Sequence, residues 1–165
     1  MMKLVLISTP TIKEGNITKA YNEADVRYKY YVPCPHCGHM QPLTWDGVKF
    51  DSKEHATVVE YQTHYECCEC HGIIKDHHKP EMLRRGKWVA QNECKGKPKR
   101  IAYSINSIYS PWITFGQVAA EFQRSKDDPA DLMNFINSWL GEPWENLSAN
   151  MDIGSVLEQR TEIPA

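Results

Sequence analysis

The chain has 165 residues, of which 41% are hydrophobic and 24% charged, a composition typical of a globular protein with one domain or two small ones. No run approaches the roughly 20 apolar residues of a membrane span, and the apolar stretch near the amino terminus is too short for a signal peptide. We therefore expect a cytoplasmic protein with no membrane contact, in which six cysteines indicate metal binding rather than disulfides.

The formal net charge of −2 conceals a segregation of charge along the chain. Residues 71–100 hold nine basic and three acidic side chains, whereas residues 126–165 hold two and eight. A basic segment can bind phosphate, but it can also be a solvated loop whose charge the acidic tail balances. Composition alone favours the solvated loop.

The first element in chain order is a short apolar run. Residues 3–7 have the pattern of a buried strand, and they lead into Ser8, Thr9, Pro10 and Thr11. Hydroxyl groups at the carboxyl end of a strand can contact a phosphate or position a water. The alternative, which the spacing favours, is a polar loop that ends the strand and caps the next helix.

The next fifty residues predict one helix and several strands. A helix begins near Asn16, and residues 26–32 are β-branched and aromatic enough for a strand. Asp46-Gly47 lies between two apolar stretches and predicts a hairpin. Residues 57–65 have the composition of a further strand.

Beyond the second cysteine pair the pattern alternates between helix and extended chain. Residues 80–85 predict a short helix, and residues 87–89 an extended segment. Residues 92–99 are polar and contain glycine and proline, which predicts a loop. Residues 101–108 alternate apolar and polar side chains, as a half-buried strand does.

Two helices are predicted near the carboxyl end. Thr114 can cap a helix that ends near Ser125. A second helix begins at Asp127-Asp128, and with Asp131 these acidic side chains suit a helix amino terminus better than a nuclease site. Its inward residues are expected to be Leu132, Phe135, Ile136, Trp139 and Leu140.

Two cysteine pairs have the spacing of a metal site. Cys34 and Cys37 lie three positions apart, and so do Cys67 and Cys70. Two thiolates at this spacing can reach one ion from a tight turn, and four complete the tetrahedral shell that structural zinc prefers. Since no coordination position stays open, we expect Zn²⁺ to be structural and not catalytic.

The interval between the pairs is longer than usual. The 29 residues between Cys37 and Cys67 exceed the common ~15–20, and the predicted hairpin would explain the difference. Gly38 and Gly72 follow the two pairs, where we expect positive backbone φ angles that glycine tolerates.

Other assignments of the cysteines stay open. The four could be buried thiols, could contain an oxidised pair, or could bind iron as a rubredoxin-like redox protein does. Cys68 breaks the spacing and is assigned as a spare, and Cys94 as a free surface thiol. Three neighbouring histidines are possible substitute ligands, although they more often only contact such a site: His36, His39 and His71.

In this order the motifs resemble the central part of the large terminase subunit of tailed phages, in the lambda-like branch. Ile7 to Thr11 resembles the coupling motif of its ATPase domain, and the two cysteine pairs resemble its zinc insertion. The resemblance covers nearly the whole chain. Further matching segments are Gly86-Lys87-Trp88, Ile108-Tyr109-Ser110-Pro111-Trp112 and residues 135–144.

The resemblance implies a motor in the bacterial host cytoplasm that uses ATP and Mg²⁺ to package viral DNA and cuts concatemers with a nuclease domain. It implies an oligomer that contacts double-stranded DNA, the terminase small subunit and the portal. Ser8, Thr9 and Thr11 would sense the γ-phosphate. The candidates for DNA phosphate contact are Lys95, Lys97, Lys99 and Arg100.

The phosphate-binding loop and the nuclease acids of that family are not in this sequence. We therefore expect a middle piece of a longer protein that is inactive alone, and whether the chain is itself an enzyme stays open. The alternative is a stand-alone zinc-ribbon module that binds nucleic acid.

The expected fold is α+β, with a zinc-ribbon-like β module between other segments. Residues 1–31 would end an ATPase-like α/β domain, and residues 32–100 would form the ribbon-like module. Residues 101–165 would supply a strand and two helices that lead towards a nuclease domain.

Overall fold

The computed structural model describes residues 3–145, which form a mixed α+β fold. The helices are α1 (Asn16–Asn22), α2 (Ala56–Gln62), α3 (Lys79–Arg84), α4 (Phe115–Ser125) and α5 (Pro129–Asn134), and a π-helical turn, Phe135–Trp139, continues α5. The strands are β1 (Val26–Pro33), β2 (Met40–Pro42), β3 (Val48–Lys49), β4 (His64–Glu66), β5 (Ile73–Ile74), β6 (Lys87–Ala90) and β7 (Ile101–Ser104). Among the helices of these residues, none has the length and apolar character that crossing a membrane requires.

The strands form two sheets. In the larger sheet β1 pairs antiparallel with β2 and β6 and parallel with β7. The smaller sheet has the antiparallel order β3-β4-β5. Each cysteine pair therefore lies in the turn of an antiparallel hairpin, one between β1 and β2 and the other between β4 and β5.

The helix α4 crosses the centre of the core. Thr114 caps it by accepting a hydrogen bond from the Gln117 N–H at 3.0 Å, and the predicted apolar face is buried. The helix packs so closely on α2 that a Cβ added to Gly116 would lie 1.8 Å from the Glu60 carbonyl oxygen. The α2–α4 pair contacts the smaller sheet through β4, whereas α1 and α3 contact the larger sheet.

Several predicted elements are confirmed. The helix that begins at Asn16, the strand at β1, the short helix α3 and the extended segment at β6 all form. Asp128 caps α5 by accepting from the backbone N–H groups of Ala130 and Asp131. The strand predicted over residues 101–108 forms only at β7. The division into three segments stays a prediction.

Residues 57–65 are largely helical, so the strand predicted there is wrong. The helix α2 begins after His55, whose side chain accepts from the Thr57 N–H, and it buries Ala56 and Val59. Only β4 is extended, at the end of the predicted strand. Burial of one helical face against α4 outweighs the local β-branched composition.

The hairpin predicted across Asp46-Gly47 is also wrong. Trp45–Gly47 is a 3₁₀ turn, and β3 pairs with β4 instead of folding back on β2. The indole ring of Trp45 packs against the rings of Phe122 and Phe135, with centroids 5.0 and 5.3 Å apart. The long interval between the cysteine pairs thus contains a helix and not a self-contained hairpin.

Residues 3–7 form no strand, and the buried strand predicted there is wrong. Leu4, Val5, Leu6 and Ile7 are 78%, 73%, 60% and 91% exposed. A strand needs a paired neighbour for its backbone groups. No strand in the described part of the chain lies beside this segment.

Candidate metal centre

The two cysteine turns have the same backbone geometry. In the first, the Cys34 N–H donates to the His39 carbonyl at 2.8 Å, and the Gly38 N–H donates to the Cys34 carbonyl at 3.0 Å. In the second, the Cys67 N–H donates to the Gly72 carbonyl at 3.2 Å, and the His71 N–H donates to the Cys67 carbonyl at 3.1 Å. Both turns therefore aim their two cysteine side chains in the same way.

The equivalent of Gly38 in the second turn is His71 and not Gly72. Gly38 and His71 have φ angles of +76° and +56°, so the positive φ predicted at Gly72 is wrong. Gly72 is required for space instead, because a Cβ there would lie 2.8 Å from a ring carbon of His36 and 3.2 Å from the Cys70 sulfur.

The four predicted sulfur atoms come together. All lie within 4.8 Å of one another, with Cys34 and Cys70 at 3.8 Å and Cys37 and Cys67 at 3.9 Å. A tetrahedral zinc with bonds of about 2.3 Å places its sulfurs about 3.8 Å apart. The six cysteines are free thiols, which excludes an oxidised pair in this structure. The cluster can therefore hold a metal ion.

Backbone groups support negative charge at the cluster. The His36 N–H points at the Cys34 sulfur at 3.4 Å, and the Glu69 N–H points at the Cys67 sulfur at 3.5 Å. Burial raises the pKa of Cys34, whereas at Cys67 the opposing effect of burial is outweighed by hydrogen bonds from the Cys70 and Glu69 N–H groups, which lower the pKa to about 6. The thiolate is the form that binds metal.

Two side chains join the turns independently of the sulfurs. Gln41 of β2 is 1% exposed, and its Oε1 accepts from the Cys68 N–H at 2.9 Å. The His36 ring, through Nε2, bonds the Ile73 carbonyl of β5 at 2.7 Å. The role of Gln41 had no signal in the sequence, because it depends on how the hairpins meet.

The other cysteines and histidines lie outside the cluster. Cys68 is exposed, and Cys94 is half-buried in the loop between β6 and β7. The His71 ring pairs with the Glu66 carboxylate at 2.8 Å. His39 contributes its backbone carbonyl to the first turn. The structure thus groups the same four sulfurs as the sequence spacing.

Ser8, Thr9 and Thr11 lie on the exposed amino-terminal segment. They line a shallow depression with Asn16 and Ile17 at the start of α1. The Thr11 carbonyl also accepts from the Trp144 N–H at 2.8 Å, which ties this segment to the far end of the described chain.

The four basic candidates lie in the loop between β6 and β7 and are all exposed: Lys95, Lys97, Lys99 and Arg100. The Lys99 and Arg100 N–H groups donate to the Asp25 carboxylate at 2.7 and 2.9 Å. The Arg100 guanidinium lies 3.3 Å from Glu23. The loop therefore carries exposed positive charge on an anchored backbone.

Sequence reasoning missed a buried lysine at the start of α3. Lys79 is 2% exposed, and its ammonium donates to the carbonyls of Ser110 and Ile113 and lies 3.3 Å from the Asp76 carboxylate. The same carboxylate accepts from the Phe115 N–H at 2.8 Å. Burial lowers the pKa of Lys79, and Asp76 opposes that shift. We call Lys79 and Asp76 the lysine clasp.

Comparisons with known proteins give two successive matches, separated by residues 89–99. Residues 1–88 match the family described as phage terminase large subunit gpA, ATPase domain, and residues 100–165 match terminase large subunit gpA, endonuclease domain. The terminase large subunit of Enterobacteria phage P21 is 32% identical over 84% of this chain and 24% of its own length. That of Escherichia phage lambda is 26% identical over 94% of this chain and 27% of its own length.

The chain spans about a quarter of the length of the curated relatives it matches. No solved structure matches it.

Proposed function

Because this chain belongs to the phage terminase large-subunit family, we propose that it is the zinc-containing segment that joins the ATPase and endonuclease parts of a DNA-packaging protein. In the complete protein, ATP and Mg²⁺ would drive DNA translocation, and the nuclease would cut concatemers. The small subunit, the portal and double-stranded DNA are the proposed partners, in an oligomeric motor.

The observation that carries the proposal is a shared core across the two matched stretches. Trp45 belongs to the first match and packs on Phe122 and Phe135 of the second. The lysine clasp likewise links residues of the first match to Ile113 and Phe115 of the second. A joint of this kind transmits a displacement of one part to the other, because packed cores deform little.

Zinc would make this joint rigid. The tetrathiolate cluster connects two hairpins from different sheets, and tetrahedral ligation closes both turns at once. Folding of residues 33–74 should therefore depend on the metal. Ser8, Thr9 and Thr11 are proposed to couple the nucleotide state to this joint, on family resemblance alone.

The zinc proposal is tested by metal content. Purified chain should contain about one zinc per polypeptide and be colourless, because structural sites with four thiolates bind one ion. Cys34→Ser and Cys67→Ser should lose that zinc, whereas Cys68→Ser and Cys94→Ser are matched controls that should keep it. A coloured, iron-loaded sample would favour the redox alternative.

The folding part of the proposal is tested by removing the metal with a strong chelator. Circular dichroism should show loss of structure, and amide hydrogen exchange should accelerate across residues 33–74. Unchanged exchange there after complete removal of the metal would contradict a structural role for zinc.

The segment itself should turn over no ATP and cleave no DNA, because these 165 residues contain no phosphate-binding loop and no cluster of nuclease acids. Robust ATPase activity of the purified chain would contradict the proposal. The second candidate, a stand-alone nucleic-acid-binding module, is favoured by the exposed basic loop. It predicts salt-dependent duplex binding that Lys97→Ala and Lys99→Ala weaken.

A further inference from the structure

The larger sheet presents an aromatic face. Tyr28 of β1 lies opposite Tyr103 of β7, and Tyr30 of β1 lies opposite Trp88 of β6. Directly opposed residues project to the same side of a sheet, so these four rings share one face. The rings of Tyr28 and Tyr103 stack with centroids 5.2 Å apart, and Trp88 lies edge-on to Tyr103 at 4.8 Å.

Two of the four rings, those of Trp88 and Tyr103, are exposed to solvent, whereas Tyr28 and Tyr30 are half-buried. Tyr103 is 57% exposed, Trp88 40% and Ile101 of the same face 48%. Large aromatic side chains ordinarily bury most of their surface, and an exposed cluster of them marks a contact site. The exposed surface of this face is therefore aromatic and aliphatic, contributed by Trp88, Ile101 and Tyr103.

The basic loop is joined directly to this face. Residues 91–100 connect β6, which carries Trp88, to β7, which carries Tyr103. Asn92 and Asp25 fix the loop across the start of β1, since Asn92 Oδ1 accepts from the Arg27 N–H and Asp25 accepts from the loop backbone. The loop therefore has a defined position beside the rings.

The charge of the loop is largely uncompensated. It holds four basic residues and one acidic residue, Glu93. Arg100 pairs with Glu23, but Lys95, Lys97 and Lys99 form no ion pair with any residue from 3 to 145. A ligand that contacts both surfaces would be anionic along one side and would offer apolar or aromatic groups along the other.

We infer that the aromatic face and the basic loop together bind single-stranded nucleic acid, with unpaired bases on the rings and phosphates on the loop. Stacking platforms beside a positive groove are how proteins bind single strands without sequence preference. A duplex buries its base faces within its own stack, so it could use only the loop. The inference deepens the proposed DNA contact by naming the form of DNA bound.

The test uses zinc-loaded chain and fluorescence anisotropy of a labelled 15-nucleotide oligo(dT) and a labelled 15-base-pair duplex. The single strand should bind more tightly than the duplex at every salt concentration. Tyr103→Ala should weaken single-strand binding about tenfold, the effect of losing one stacked base, and should leave duplex binding unchanged. Tyr103→Phe keeps the ring and should bind like the wild type.

Two further variants separate stacking from charge. Tyr61→Ala is the matched control, because Tyr61 is 88% exposed but lies on α2 and not on the sheet. Its binding should be unchanged. Lys97→Ala with Lys99→Ala should reduce the slope of log affinity against log salt by about 1.4 on the single strand.

A fluorescence measurement on the wild-type chain tests the stacking without relying on Tyr103→Ala to fold. Oligo(dT) should quench the tryptophan fluorescence of the wild type, and Trp88→Phe should remove the quenched component.

Equal binding of both DNA forms, or binding that Tyr103→Ala leaves intact, would overturn the inference and leave the proposed duplex contact standing. Absence of quenching would also overturn it. If neither DNA binds, both contacts fail, while the zinc content still tests the rest of the proposed function. If the duplex binds and only the loop-lysine variant loses that binding, the result supports the proposed function but not binding of single strands by the aromatic face.

Discussion

Replacing Lys79 by Met should destabilise the zinc-loaded chain by about 3 kcal/mol. The Lys79 side chain is 2% exposed, and its ammonium donates to the Ser110 and Ile113 carbonyls and lies 3.3 Å from Asp76. Methionine keeps nearly the length of the side chain. The change therefore removes charge and donors but little buried volume.

The size of this loss of stability follows from the polar groups that lose the Lys79 ammonium as their partner. Hydrogen bonds from a charged donor contribute about 1.5–3 kcal/mol each, and removing one partner of a buried ion pair costs about 3–5 kcal/mol. The Asp76 side chain is 39% exposed and keeps the Phe115 N–H, so water relieves part of that cost and the lower end applies. Lys79→Ala also loses three buried methylenes, about 2 kcal/mol more.

The assay is urea unfolding followed by circular dichroism in excess zinc. Amide hydrogen exchange at residues 110–113 should also accelerate, because their carbonyls lose the clasp. Asp76→Asn is the control for charge, since its amide oxygen can still accept from the Phe115 N–H. A Lys79→Met variant as stable as the wild type would refute the reasoning and would mean that burying the ammonium costs as much as its bonds contribute.

Two further predictions concern a buried hydroxyl and a helix contact. The Tyr109 hydroxyl accepts from the Leu43 N–H, and burial raises its pKa above the value of about 10 for an unfolded tyrosine. The contribution of this hydroxyl to folding stability is therefore complete below about pH 10 and declines above it. Tyr109→Phe should lower the free energy of unfolding in urea by about 1–2 kcal/mol at pH 8 and by less at pH 11. Gly116→Ala should cost about 3 kcal/mol in thermal unfolding, because its Cβ would lie 1.8 Å from the Glu60 carbonyl and force α2 away from α4.

Clear outcomes would contradict these two predictions. If Tyr109→Phe lowers the free energy of unfolding equally at pH 8 and pH 11, the hydroxyl ionises alike in the folded and unfolded states. For the helix contact, Arg124→Ala on the exposed side of α4 is the control and should change stability by less than about 0.5 kcal/mol. If Gly116→Ala has the same melting temperature as this control variant, α2 and α4 can separate at no cost in stability.

The cysteine cluster and the helix caps were predictable from sequence because each is specified locally. Two cysteines three residues apart form a ligand pair in any tight turn, and the structure gathers the same four sulfurs. Thr114 and Asp128 cap helices through their own neighbouring backbone. Such features need no knowledge of what packs against them.

The predictions that were wrong concern segments whose structure depends on residues far away in the sequence. Residues 57–65 are β-branched enough for a strand, but most of them form α2, which packs closely on α4 with Gly116 against Glu60. The apolar residues 3–7 stay exposed because a strand cannot form without a partner strand.

The sequence by itself determined which four cysteines form the cluster, most of the elements and the family resemblance, since these depend on short-range spacing. Only the tertiary structure decided that Lys79 is buried, that Gln41 joins the two cysteine turns, and that Tyr28, Trp88 and Tyr103 lie together on one partly exposed sheet face. The physical reason is that burial and juxtaposition belong to pairs of residues far apart in the chain, and strand pairing and helix packing bring them together.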